Sequence, residues 1–323
     1  MSAIRDQSGG TVQPDRPTVP ASAFRALLGS SLVRLIDAGF AQVVARDLRW
    51  GEGPAWLPDR QVWIFSDIPN DRILQWSPIS GLAMYRHPAR FANGNFVCLN
   101  GDLLTCEHGS RSVVRSNVSG DITVLCDRYG QGQLNSPNDV VERADGTIWF
   151  TDPSYGILSD VEGRKAPSEQ DHCRVYCFDP RNAVLSSQIE SLRMPNGLCF
   201  SSDQDTLFVA DSGADMGPEV AFQPAGPRDV FAFSLSDGAV KGGPRWVARA
   251  MTGVPDGIRC DADDFLWMAT GSGIDCIAPD GRPIGSIDTP ETASNLAFGG
   301  PLRSQILVTL ATSVCLIDIN KGL

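Results

Sequence analysis

Ser136-Pro137-Asn138-Asp139-Val140-Val141, then Asp145-Gly146, then Thr147-Ile148-Trp149-Phe150-Thr151-Asp152 form one connected phrase in the middle of the chain. A polar residue opens a short apolar strand, an Asp-Gly turn reverses it, and a second apolar strand ends in an acid. The phrase recurs on both sides. Gly51-Glu52-Gly53-Pro54 leads to Trp63-Ile64-Phe65-Ser66-Asp67, and Asn93-Gly94-Asn95-Phe96 leads to Leu103-Leu104-Thr105-Cys106-Glu107. Pro195-Asn196-Gly197-Leu198 precedes Leu207-Phe208-Val209-Ala210-Asp211, and Pro255-Asp256-Gly257-Ile258 precedes Leu266-Trp267-Met268-Ala269-Thr270. A sixth, fainter copy runs from Ser294-Asn295-Leu296 to Ile306-Leu307-Val308-Thr309-Leu310. From the opening polar residue to the apolar anchor (Ile64, Leu104, Trp149, Phe208, Trp267 or Leu307) every copy spans 11 or 12 residues.

Successive anchors lie 40, 45, 59, 59 and 40 residues apart, the long steps absorbing loops such as 155–171 and 212–228. Six units of four short strands at this spacing predict an all-β, six-bladed β-propeller over residues 39–323. Gly and Pro together make up a sixth of the 323 residues, which suits a fold of many tight turns. A (β/α)8 barrel would need amphipathic helices between the strands, and they are missing. The Trp-Asp and Gly-His signature of the commonest propeller repeat is also missing. Residues 1–38 read as a separate extension. Its first 20 residues are polar and Pro-rich, disordered or draped over the surface. Over 21–37, Phe24, Leu27, Leu28, Leu32, Leu35 and Ile36 follow Ser22 at three- and four-residue spacing, which predicts one or two short helices.

Charge narrows the partners. Against 38 Asp and Glu stand 27 Lys and Arg, a net charge of −11, with no basic cluster to hold a nucleic acid. No apolar run approaches the ~18 residues of a membrane helix. The nine cysteines are odd in number and sit in apolar stretches such as Val97-Cys98-Leu99, unlike a secreted disulfide framework. Met1-Ser2-Ala3-Ile4-Arg5-Asp6 does not open a secretory signal, so the expected compartment is the reducing cytoplasm.

In a propeller the innermost strand of each blade runs along the central channel, so equivalent strand-opening residues form a ring around one mouth. Glu52, Asn93, Asn138, Asn196, Asp256 and Asn295 (or Ser294) occupy that position. Gly or Asp follows several of them, which implies a special backbone conformation at the turn. The ring carries oxygen donors and neither His nor Cys, a composition that suits Ca²⁺ before Mg²⁺ and Zn²⁺ poorly. Other chemistries find less support. Three histidines and no Gly-x-Ser-x-Gly argue against a serine hydrolase. Cys173 and Cys177 share one strand face, Asp261-Ala262-Asp263-Asp264 reads as a hairpin turn, and Gly130-Gln131-Gly132 lacks the third Gly of a dinucleotide site.

Gly51-Glu52-Gly53-Pro54-Ala55-Trp56, Ser136-Pro137-Asn138-Asp139-Val140, Phe150-Thr151-Asp152-Pro153, Met194-Pro195-Asn196-Gly197 and Val254-Pro255-Asp256-Gly257 resemble the gluconolactonase / senescence-marker-protein (regucalcin) family. Arg90-Phe91-Ala92-Asn93-Gly94-Asn95 and Thr105-Cys106-Glu107-His108-Gly109 resemble its bacterial gluconolactonase branch. The resemblance covers about residues 39–320. It implies a six-bladed propeller with one divalent cation at the channel mouth, usually Ca²⁺, although the same ligands accept Mg²⁺, Mn²⁺ or Zn²⁺. Carried over by position, Glu52, Asn138, Asn196 and Asp256 match the metal ligands. Arg90 and Asn93 match a substrate-contacting segment, with Glu107, His108 and Tyr155 as further candidates for the same pocket.

The implied reaction is hydrolysis of a small-molecule sugar lactone to the aldonic acid. The cation would polarise the carbonyl, with Asp256 as general base or as the group that orients the water. Two alternatives share the scaffold: a phosphotriesterase of the diisopropylfluorophosphatase type, and a non-catalytic binding propeller. The 21–37 segment has two readings, covering a blade edge or joining a second copy in a homo-oligomer.

Overall fold

The second strand of each repeat is buried at nearly every position, as in Leu103–Glu107, Ile148–Asp152 and Leu266–Thr270. A strand buried on both faces must lie inside its sheet and have another sheet stacked on either side. A computed structural model, which describes residues 18–19, 36–217 and 220–319, shows how the chain meets that demand. Five four-stranded antiparallel sheets and one of five strands stand around a common axis as the blades of a propeller. Their innermost strands are Gly51–Leu57, Ala92–Val97, Val140–Glu142, Pro195–Phe200, Ile258–Cys260 and Ala293–Gly299, here blades I to VI.

The last blade is a composite. Its three C-terminal strands end with Val314–Ile319, Ile36–Ala45 adds the fourth, pairing Ala41 with Ile317 and Val43 with Cys315, and the two-residue strand Thr18–Val19 lies outside it. This pairing ties the two ends of the propeller together and closes the ring. The helical stretch expected at 21–37 lies outside the described residues except for 36–37, which belong to this strand.

Aromatic wedges fill the space between blades. Trp63, Trp149 and Trp267 are fully buried. Trp149 meets Phe200 of the next blade edge-on at 5.7 Å, and Trp267 meets Phe298 in the same way at 5.7 Å. Such pairs add about 0.5–1.5 kcal/mol beyond burial alone. The hairpin turns satisfy the indoles of Trp149 and Trp267, whereas Trp63 Nε1–H has no partner among the described residues. Asp261 accepts Trp267 Nε1–H at 2.8 Å while capping the Asp263 and Phe265 amides, which is the work of the Asp-rich turn. In blade III, Asp145 holds Thr147, whose Oγ1 accepts Trp149 Nε1–H at 3.1 Å. Gly130-Gln131-Gly132 joins the small hairpin Arg128–Tyr129/Gly132–Gln133, and Cys177 packs in the core between blades III and IV.

Candidate active site

The ring residues are positioned by bonds that run from blade to blade. Gly94 N–H donates to Asn138 O at 2.8 Å, Gly197 N–H to Asp256 O at 3.2 Å, and Gly257 N–H to Ser294 O at 2.8 Å. Hydroxyls from the second strands complete the pattern, Ser66 Oγ to Asn93 O and Thr151 Oγ1 to Asn196 O, both at 2.7 Å. Because the ring backbone is consumed in this way, its side chains are the groups left for the channel mouth. The glycines beside the ring serve this approach. Gly53 alone among them is left-handed (φ 49°). At Gly94, Gly197 and Gly257 the need is space, since a Cβ would fall 2.5 Å from Asn138 O, 2.3 Å from Asp256 O and 2.1 Å from Asn295 Cγ. The special turn conformation expected there is thus mostly close packing of one blade on the next.

Glu52, Asn93, Asn138, Asn196 and Asp256 line one cavity of about 350 Å³. Tyr155 and Glu162 enter its wall from the loop after Asp152, and Asp215 from the loop after Asp211. Trp50, Ile68, Val220, Phe222 and Val254 supply an apolar side. The sixth ring member, Asn295, stands behind this set. Its Nδ2 donates to Glu52 Oε2 at 2.9 Å, an oxygen that also accepts Gly53 N–H at 2.7 Å.

Two carboxylates here interact electrostatically; among the described residues neither is in a salt bridge, and the Arg259 charge offsets part of the burial effect at Glu52. Glu52 is 3% exposed, and burial pushes its carboxyl up to about 7. Desolvation holds Asp256 well above the usual carboxylate range, the Glu52 charge adds to this, and a hydrogen bond from Asn196 offsets part of it. Among the described residues no Lys or Arg lines the cavity. Arg259, on the inner strand of blade V, is committed to Asp139 on blade III, Nη1 to Oδ2 at 2.8 Å, and to Ile258 O at 2.7 Å. This buried pair spans the channel where blade III carries Asp139 in place of the glycine that blades I, II, IV and V use, and nothing in the linear pattern announced it.

The donor set fits a hard divalent cation on its own chemistry. Two carboxylates with raised proton affinity and the amide oxygens of Asn138 and Asn196 make up an all-oxygen donor set. A cation would supply the positive charge that the lining lacks.

The remaining candidates divide. Asn93 and Tyr155 line the cavity, whereas Arg90, Glu107 and His108 do not. His108 lies directly behind Asn93. Burial lowers its imidazole to about 4, so the ring is neutral at pH 7. Its partners assign the tautomer: Nδ1–H donates to Glu162 O (2.8 Å) and Nε2 accepts Asn93 Nδ2–H (3.1 Å). The Asn93 amide is thereby turned so that its Oδ1, buried and without a partner among the described residues, is the free end. Gly156 makes room for the imidazole, since a Cβ there would sit 2.6 Å from it.

Glu107 occupies the strand-ending acid position shared with Asp67, Asp152 and Asp211, whose carboxylates cap amides of the segment entering the same blade. Glu107 is instead salt-bridged to Arg86 at 2.9 Å. Arg90 lies beyond it, 3.8 Å from Glu107 with a largely exposed side chain. Glu162 and Asp215 escaped sequence reasoning because they sit in the insertions that interrupt the repeat.

Comparison with known proteins agrees with this architecture. The SMP-30/Gluconolactonase/LRE-like region matches residues 50–312. A gluconolactonase of Zymomonas mobilis is 27% identical over 286 residues, 80% of this chain and 75% of that protein. The solved structure of a gluconolactonase from Xanthomonas campestris aligns with a TM-score of 0.84 at 32% identity, over 96% of this chain and 99% of that one. Regucalcin from Agrobacterium tumefaciens, a calcium-binding protein, shares the fold at a TM-score of 0.68 and 19% identity, over 87% and 95% of the two chains. With the matched region running from the first blade into the last and containing every residue of the cavity floor, the chain belongs to the SMP-30/gluconolactonase/LRE-like family.

Proposed function

We propose that this protein is a divalent-cation-dependent hydrolase that opens a sugar lactone to the aldonic acid. The observation that carries the proposal is the pairing of Glu52 and Asp256, both short of positive charge, with amide oxygens on the floor of one cavity. Family membership and the gluconolactonase names of its relatives supply the substrate class.

Glu52, Asn138, Asn196 and Asp256 would hold the cation. When bound, it supplies Lewis-acid polarisation of the lactone carbonyl and positive charge against the developing oxyanion. The protein does the rest. Asn93 Oδ1, fixed by the His108 contact, accepts a hydrogen bond from a substrate hydroxyl. Asp256 orients the attacking water and takes its proton as the new C–O bond forms. Collapse of the tetrahedral centre breaks the bond to the ring oxygen, which leaves as a hydroxyl carrying the proton from Asp256. The apolar side around Trp50, Ile68 and Phe222 limits the water that reaches the ring.

The test is turnover of δ-gluconolactone by protein stripped with EDTA and then resupplied with Ca²⁺, followed by acid release. Loss on stripping and recovery on addition support the proposal. Undiminished activity after complete stripping overturns the metal role. Turnover of phosphotriesters alone, or of neither substrate, overturns the lactone reading.

A further inference from the structure

Above the floor, the cavity carries a second pair of acids that the reaction outlined above leaves unused. Glu162 and Asp215 both line it, from two different blade insertions. Each is held through its own backbone carbonyl. His108 Nδ1–H donates to Glu162 O at 2.8 Å, and the Tyr155 hydroxyl donates to Asp215 O at 3.1 Å. Pinning the main chain in this way fixes where each side chain starts without occupying its carboxylate. Among the described residues no donor reaches the Glu162 carboxylate, and Asp215 engages one oxygen only, with Gly217 N–H at 2.9 Å. Burial, with a smaller push from Asp215, raises the Glu162 carboxyl to about 7.

An independent observation marks the same cavity as built for a donor. Asn93 is 3% exposed and lines the cavity, and its buried Oδ1 has no partner among the described residues. Glu162, Asp215 and Asn93 therefore bring three under-used acceptors to a cavity that, among the described residues, no Lys or Arg lines. A ligand that satisfies them must bring several hydrogen-bond donors and no negative charge. Hydroxyl groups on neighbouring carbons do this, because each oxygen of a carboxylate can accept a charge-assisted O–H bond. An anionic substituent would find no cationic side chain among the described lining residues.

Resting on the lactonase reading, we propose that Glu162 and Asp215 form a hydroxyl-reading wall that selects neutral, polyhydroxylated lactones over bare and over phosphorylated ones. The same wall favours release of product. The neutral lactone becomes an aldonate anion inside a cavity that retains two carboxylates beyond those that would hold the cation.

The experiment compares kcat/KM of the Ca²⁺-loaded wild type, Glu162→Gln, Asp215→Asn and the double variant carrying both on δ-gluconolactone, δ-valerolactone and 6-phospho-δ-gluconolactone. Thermal melts are recorded for each protein. The wild type should favour gluconolactone over valerolactone by about 100-fold or more, because a site built to bind hydroxyls rejects the analogue that lacks them. Glu162→Gln should lower that ratio by about 10-fold. The double variant should raise use of the phosphorylated lactone relative to gluconolactone by about 10-fold. A ratio that stays within about twofold of wild type in both single variants, as an equal loss on all lactones would give, overturns the wall while leaving lactone hydrolysis intact. If the wild type hydrolyses none of the three, the lactonase reading fails and the wall falls with it. A variant whose melting temperature falls is replaced by the longer-reach test Asp215→Glu, which should keep the gluconolactone preference if the carboxylate is what reads the hydroxyls; loss of the preference in that folded variant counts against the wall.

Discussion

Replacing Glu52 by Gln should stabilise the metal-free protein above neutral pH while abolishing its activity. The unfolded chain releases this carboxyl proton near 4.5, the folded protein near 7, because burial disfavours the charge. Between those values the folded state binds more protons than the unfolded one, so stability falls as pH rises. At about 1.4 kcal/mol per pH unit, the cost of ionising Glu52 reaches about 3 kcal/mol by pH 8. Gln retains a carbonyl oxygen for the Gly53 amide and Asn295 Nδ2, so the variant sheds the charge and keeps the bonds. With an unfolding entropy of about 2 cal/mol/K per residue, 323 residues translate this gain into a Tm rise of about 4 °C. The assay is calorimetry in EDTA at pH 5 and pH 8. Wild type should lose stability between them, and Glu52→Gln should show a shallower fall, little difference at pH 5 and the full gain at pH 8. A variant less stable than wild type at pH 8, with an undiminished pH slope, would refute the reasoning, since burial of Glu52 would then carry no electrostatic cost.

Asp256→Asn should lower kcat/KM on δ-gluconolactone by about 10³-fold with no loss of Tm, a combination that unfolding cannot mimic; an active variant would remove Asp256 from the chemistry. Added Ca²⁺ at about 100 times its Kd should raise Tm by about 4 °C at pH 8 and by less at pH 5, where protons compete for Glu52 and Asp256; melts across a Ca²⁺ titration check this. Gly257→Ala should destabilise the fold by about 1–3 kcal/mol, because the new methyl meets Asn295 Cγ at 2.1 Å, and urea unfolding measures it. Arg259→Met should cost about 3–5 kcal/mol by leaving the buried Asp139 carboxylate without its guanidinium partner, and adding Asp139→Leu should return most of the loss; a double-mutant cycle showing no coupling would contradict the channel pair.

The repeat carried a great deal of the fold because its signals are local. Asp145-Gly146, the alternation around Trp149 and the terminal acid Asp152 each constrain a few neighbouring residues; the strand-pair pattern appears six times and the terminal acid four times (Asp67, Glu107, Asp152 and Asp211). Equal construction also made the floor of the site legible, since Glu52, Asn93, Asn138, Asn196 and Asp256 share one position in their blades and line one cavity. His108 shows the limit of that reasoning. Proximity in the chain to Glu107 grouped the two, yet one turns to support Asn93 and the other is paired with Arg86.

What the chain by itself determined is whatever periodicity encodes: six blades, their strands, and the residue type at each ring position. Tertiary structure alone decided three things. Ile36–Ala45 closes the last blade, Asp139 and Arg259 meet across the channel although 120 residues separate them, and Glu162 and Asp215 descend from unrelated insertions into one wall. The reason is physical. A repeated local pattern specifies a strand, but contact between distant segments depends on how the blades stack around an axis, and no local sequence signal carries that.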